Sequence, residues 1–381
     1  MKHRVSVLRS TAVMLYFIML FAHNLYQAAV VEYLWYFVLM MCFVLGIFRK
    51  HIKLTKRMLV IASLFVVSAV LNIVLVGNNT VSGIFFTLIY LGVYELLADD
   101  EVDERYILVS IYADCFIMIW NILLHGVGKQ IMLRVSNNFI SVFLLIPTII
   151  YYIRLEYQGK KIPLPPAIAV VVTALLSTGR SGIIATAMLL AFVAWYNAFF
   201  YRTGRTRFQV FMLRFSIFFS TMLLVVGALS FSSRIMSMPV FQRFLQYGMY
   251  GTGRSGIWSE YLTVASRSLK NTLFGVKYTS LKSMDRYINN LHNSFFNLHA
   301  EYGITLLLYI IYALFSNCRK CIKEKKWIYL SMIIVFVTRA MTDKIIGGGS
   351  AATIALVFIL MYIGKHKKPL KIKKLMIYEA I

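Results

Sequence analysis

The stretch MLVIASLFVVSAVLNIVLV, residues 58–76, carries no charged side chain and follows directly on Lys56 and Arg57. It is as long as the roughly 17–25 residues with which a helix crosses the hydrocarbon layer of a bilayer. Only Ser63, Ser68 and Asn72 interrupt it, so it has no polar face of the kind a soluble amphipathic helix turns to water. The same pattern repeats on both sides of it. Of the 381 residues 60% are hydrophobic and 14% charged, and mean hydropathy is +0.72, more apolar surface than a soluble domain hides. The reading is an all-α, polytopic integral membrane bundle, one transmembrane domain over residues 1–381. The net charge of +25 sits in short basic clusters between apolar runs, which is the pattern of membrane topology and argues against nucleic acid as a partner.

Apolar runs predict about twelve spans, at 10–27, 32–48, 58–76, 80–97, 106–125, 136–153, 163–179, 181–200, 208–230, 294–316, 327–342 and 350–364. With the N-terminus inside, 26 of the 40 Lys and Arg residues fall in inner segments and 4 in short outer loops. That bias puts both termini in the cytoplasm of a multi-pass protein of the cytoplasmic membrane. Lys2, Arg4 and Arg9 precede the first span, which reads as a retained signal anchor because no small-residue cleavage site follows it. Cys42, Cys115, Cys318 and Cys321 all avoid the outer segments, so no disulfide framework is expected.

One connection is long: residues 231–293, a large extracytoplasmic loop. It holds eight cations against Glu260 and Asp285, an excess that either serves a ligand or reflects the freedom of long loops from the topology rule. Inside it, Ile257, Trp258, Tyr261, Leu262, Ala265 and Leu269 predict one amphipathic helix, lying on the bilayer or over the mouth of the bundle. Pro239 opens a second candidate helix with Phe241, Phe244 and Leu245.

The hexapeptide Thr-Gly-Arg-Ser-Gly-Ile occurs at 178–183 and again at 252–257. Each copy places an arginine, Arg180 or Arg254, beside a serine, Ser181 or Ser255, able to cap the helix that follows. A fixed planar cation next to exposed helix N–H groups suits phosphate oxygens, so the pair is a candidate pyrophosphate clamp. An interfacial anchor (Arg180), a solvated loop cation (Arg254) and chance repetition are the plain alternatives. The segment Asn289-Asn290-Leu291-His292-Asn293-Ser294 enters the tenth span. His292 is the candidate general base, with capping of the span by Asn293 or Ser294 as its neighbour. His299 lies two turns deeper, read as buried structural support, and Glu301 is an ionisable group just inside a span.

No metal is expected. His292 and His299 are seven apart, and the acidic run Asp99-Asp100-Glu101-Val102-Asp103-Glu104 maps to the inner face, where it reads as a solvated loop. There is no phosphate loop, GxSxG elbow or HExxH, and no nucleotide or other cofactor is called for.

Ser177-Thr178-Gly179-Arg180-Ser181-Gly182 opening a span, Gly253-Arg254-x-x-x-Trp258 in the outer loop, and Leu291-His292-Asn293-Ser294-Phe295 followed by Ala300-Glu301-Tyr302-Gly303-Ile304 together resemble the O-antigen polymerase and O-antigen ligase family, the Wzy-like polysaccharide polymerases. The resemblance covers mainly residues 170–310; the first half matches only as a run of spans. It implies a metal-independent, inverting glycosyltransferase that takes undecaprenyl-pyrophosphate-linked glycan as donor and acceptor, with a chain-length regulator as a further candidate partner beside membrane lipids. It also implies pyrophosphate binding at Arg180 and Arg254 and activation of the acceptor hydroxyl by His292, while Ser181, Ser255, Asn293, His299 and Glu301 support them. The short chain looks more like a capsule or exopolysaccharide polymerase than a ligase. Competing readings are a flippase or exporter, and another extracytoplasmic transferase using Asp285 or an intramembrane histidine.

Overall fold

The computed structural model describes residues 2–48, 56–126, 130–177, 179–199, 254–284, 289–347, 350 and 352–365. The predicted span 208–230, the part of the long loop with Pro239, and Asp285 lie outside the described residues. Those described are helical, with no strand among them. In chain order the helices are α1 (Lys2–Leu25), α2 (Ala29–Ile47), α3 (Lys56–Leu75), α4 (Val81–Leu97), α5 (Glu104–His125), α6 (Ile140–Tyr157), α7 (Pro165–Leu176) and α8 (Arg180–Phe199). They continue with α9 (Arg254–Ala265), α10 (Leu269–Phe274), α11 (Ser294–Lys323), α12 (Trp327–Ala340) and α13 (Thr353–Lys365). Seven are long and apolar enough to cross a membrane: α1, α2, α3, α5, α6 with the turn before it, α8 and α11. The apolar helices α4, α7, α12 and α13 are shorter, so each falls at or below the length of a full crossing. These eleven lie over eleven of the twelve expected runs.

The bundle is built around α6, whose 18-residue apolar window is 89% buried, and around α13, buried from Thr353 to Ile363. The outer helices leave large apolar side chains bare, among them Tyr33, Phe37, Val74, Phe116, Leu123 and Phe315. A perimeter of that kind needs a hydrocarbon solvent, which is why the chain is a membrane protein.

The two ends of the bundle are chemically different. At one, Arg154 of α6 is wholly buried and donates to the carbonyls of Leu97, Asp99 and Val102 and to the Glu104 carboxylate. Arg9 pairs with Asp99 at 2.9 Å and Glu101 at 2.8 Å, and Lys160 with Glu104 at 2.6 Å. The acidic run is therefore the solvated loop expected only in part: Asp100 and Glu101 are exposed. Asp99 and Glu104 are buried ties between α1, α5 and α6, because buried carboxylates persist only when paired. Glu156 reaches from α6 to accept the N–H groups of Ile328 and Tyr329, which caps the first turn of α12.

At the other end α11 is broken. Gly303 has φ 77° and ψ −179°, so its residues up to Tyr302 form a separate segment from the helix after it, where one continuous span was expected. A break frees backbone carbonyls, and in an apolar setting each must find a donor. Asparagines of the α3–α4 turn supply them. Asn72 donates to the carbonyls of Ala300 and Phe274, Asn78 to those of Ala300 and Val276, and Asn79 to that of Glu301.

Candidate functional site

The turn before α11 is shaped by its own side chains. Asn289 (φ 57°) and His292 (φ 50°) both adopt the left-handed conformation, uncommon outside glycine and most accessible to Asn, Asp and His. Asn290 Oδ1 accepts the His292 N–H at 2.8 Å, closing an Asx turn. Asn293 then caps α11 as expected, its side chain accepting from Phe295 and Phe296. The effect is to hold the His292 imidazole, 21% exposed, with Nδ1 3.5 Å from Oδ1 of Asp343.

Asp343 follows α12 and is the hub of the site. It takes Asn290 Nδ2 at 3.1 Å and the Lys344 N–H at 2.9 Å, and the guanidinium of Arg339 lies 3.6 Å from its second oxygen. Ser294 fastens its backbone, donating to the Asp343 carbonyl at 2.7 Å and accepting from Ile345. Burial alone would raise the Asp343 carboxyl, but the His292 ring 3.5 Å away, the charge of Arg339 and the amide of Asn290 outweigh it and hold the group well below the usual carboxylate range. An anion at Nδ1 keeps the ring proton there and leaves Nε2 as the basic nitrogen.

Of the two arginines singled out in the sequence, Arg254 acts on this centre through Arg339, and Arg180 starts its helix beside Asn138, which Arg339 also meets. Arg339 is fully buried, donates to the Asn138 carbonyl at 2.8 Å and is near enough to Arg254 for their charges to repel. Trp258, one turn into α9, donates to the Leu291 carbonyl at 2.8 Å, which fixes the Arg254 end of α9 against the turn that carries His292. Arg180 opens α8 directly after Gly179, and a Cβ on that glycine would come within 3.2 Å of the Asn138 Cα. The described parts of the two hexapeptide copies, 179–183 and 254–257, are thus both at this end of the bundle.

Corrections to the sequence reading are local. Arg180 and Arg254 are themselves the first helical residues, so Ser181 and Ser255 stand in the first turns and not at the caps. Gly182 is packed against Ser141, where a Cβ would meet the hydroxyl, whereas a Cβ on Gly256 would meet nothing within 4 Å; identical words have different surroundings. The single amphipathic helix is two, α9 and α10, separated by a turn in which Ser268 caps the second. Ile257, Tyr261 and Ala265 face inward, but Leu262 and Leu269 are exposed. α9 packs on Val276, Tyr278, Leu291 and Ala300 over the end of the bundle, and α10 packs against α11 and α3.

His299 is a structural tie. Its Nε2 meets the Thr272 carbonyl at 2.8 Å and its Nδ1 the Tyr261 hydroxyl at 2.6 Å. A carbonyl only accepts, so the proton is on Nε2 and Nδ1 accepts from Tyr261, leaving no nitrogen for substrate. Glu301 is buried, pairs with Lys344 at 2.6 Å and accepts from Tyr278 at 3.1 Å, so it steadies the loop next to Asp343.

Sequence reading missed Asp343, Arg339 and Lys344. Arg339 alone carried a signal: an arginine inside an apolar run is an intramembrane ionisable group, and such groups mark function by default. Among the described residues no group of three or more His, Cys, Asp or Glu side chains could hold a metal ion. No protein-family model matches the chain, and no curated protein matches it either.

Proposed function

We propose that this protein is a glycosyltransferase of the cytoplasmic membrane that joins undecaprenyl-pyrophosphate-linked oligosaccharide units at the outer face. The acceptor hydroxyl attacks the anomeric carbon of the donor, a C–O bond forms, and the bond from that carbon to the pyrophosphate breaks with inversion. The hydroxyl proton passes to Nε2 of His292, and the electron pair leaves with the lipid pyrophosphate. Arg180 and Arg254, each at a helix N-terminus, stabilise the growing negative charge. Buried Arg339 adds positive potential behind them. No nucleotide or metal enters, because the leaving group is already good.

The observation that carries this reading is the His292–Asp343 contact of 3.5 Å set beside a buried arginine and the start of α9. A base with an orienting carboxylate, next to fixed cations, is what acyl- or glycosyl-type transfer to a hydroxyl needs. A ligase would use the same chemistry on a different acceptor, and product length separates the two. In vesicles supplied with the lipid-linked repeat unit, His292→Ala and Arg254→Ala are expected to lose polymer formation by on the order of 10²-fold or more while keeping normal membrane levels. Full-length polymer from both variants would overturn the assignment.

A further inference from the structure

Beside the charged cluster lies a cavity of about 330 Å³ between α1, α2, α4 and α6, within the size range of small-ligand sites. Its wall is a run of rings. His23 stacks on Trp35 with centroids 5.8 Å apart and planes at 22°, and Tyr36 meets Phe86 at 6.4 Å. Its polar groups are few and placed together. Nδ1 of His23 is buried with no hydrogen-bond partner. Asn24 lies next to it in the lining, and the ion pair of Glu32 with Arg134, at 2.6 Å, stands close enough for both charges to act on His23.

The cavity borders the proposed reaction centre across one side chain. Phe139 lines it, and the guanidinium carbon of Arg339 sits 5.9 Å from the centre of the same ring. Ser350, on the loop that begins with Asp343 and Lys344, lines it too.

We propose that this cavity is a saccharide subsite that holds a sugar ring of the lipid-linked glycan, next to the end that carries the diphosphate. The inference rests on the glycosyltransferase reading. Flat aromatic faces match the C–H faces of a pyranose, and the imidazole nitrogen of His23 and the amide of Asn24 match its hydroxyls. A polyprenyl tail satisfies none of these polar atoms, and a buried nitrogen left without a partner is costly. The occupant therefore brings hydroxyl groups of its own.

The test uses the full chain in vesicles and measures initial polymerisation rates against the concentration of lipid-linked unit. Phe86→Leu and His23→Leu are expected to raise KM about five- to tenfold with kcat within about twofold, while Phe116→Leu on the lipid-facing perimeter changes neither. Unchanged KM in both cavity variants, with His292→Ala inactive, overturns the subsite and leaves the parent reading standing. A fully active His292→Ala overturns the parent reading instead. A binding measurement needs no turnover and guards against misfolded variants. Oligosaccharide released by mild acid from the cells' own lipid-linked pool should give a saturable change in tryptophan fluorescence that is absent in Trp35→Phe. The same saturable change in Trp35→Phe, or none in the wild type, refutes the subsite.

Discussion

Replacing Asp343 by Asn keeps the size of the side chain and removes the charge that holds the ring proton on Nδ1 of His292. An amide can present its NH₂ to that nitrogen and so stabilise the wrong tautomer. Asp343→Asn is therefore expected to lower kcat by about 10²-fold or more at an unchanged amount of folded protein, read as turnover per purified molecule. The same carboxyl has a signed effect on stability. Its folded-state value is depressed, so its contribution is present above the ordinary carboxylate value of about 3.9 and is lost as pH falls through the folded value. The gap in Tm between wild type and Asp343→Asn should stay constant above about pH 5 and shrink below about pH 4. A gap that widens in acid would contradict the pairing. At this scale His292, Arg254, Arg180 and Asn293 could be picked from the chain because each stands at a helix start. Asp343 could not be ranked above Asp285, because only folding brings residue 343 against residue 292.

At the scale of the element, the break in α11 organises the site end of the bundle. Gly303 is held at a backbone geometry that is essentially reserved for glycine, and a Cβ there would come within 2.4 Å of the Leu273 carbonyl oxygen. Gly275 meets the same crossing from the other side, with φ 97° and the His299 carbonyl 2.4 Å from where its Cβ would be. α10 and the first segment of α11 thus touch backbone to backbone, and the Asn72, Asn78 and Asn79 amides satisfy the carbonyls that the break releases. Gly303→Ala is expected to cost about 2–3 kcal/mol or more through strain and displacement of α10, measured as a fall in Tm. Gly256→Ala, with open space around it, should be neutral or raise stability by up to about 1 kcal/mol. Equal losses from the two would mean that the crossing is not close-packed. Sequence patterning placed a span here because every side chain in the run is compatible with a helix. It could not place the break, since a glycine inside an apolar run is compatible with both a bent and a straight helix.

For the whole molecule, the charge bias along the chain and the contacts in the fold sort the loops into the same two groups. The Arg9–Asp99 and Arg154–Glu104 pairs and the Glu156 cap of α12 lie at the end with the basic clusters. The turns around residues 72–79, 131–139, 179–180, 289–293 and 341–347 lie at the other, joined by bonds such as Arg339 to Asn138 and Asn72 to Ala300. The expected orientation puts that second end outside. With Cys318 replaced by Ser, Lys282→Cys should react with a membrane-impermeant maleimide in intact cells, and Lys323→Cys only after permeabilisation. The reverse pattern would turn the protein over and remove the proposed substrate from its reach.

From the linear chain alone came the membrane class, the positions of eleven apolar helices and the arginines proposed to meet a diphosphate. Composition and run length decide those, because a bilayer accepts only helices that satisfy their own backbone and bury no unpaired charge. Tertiary structure alone decided which ionisable groups share a site. It paired His292 with Asp343 and Glu301 with Lys344, locked His299 between Tyr261 and Thr272, and buried Asp99 and Glu104 of the acidic run against arginines. The reason is one of range. Hydropathy acts on each residue and its neighbours in the chain, whereas the pairing of buried charges such as Glu301 with Lys344 and Glu104 with Arg154 is set by segments that meet across the bundle from distant positions in the chain.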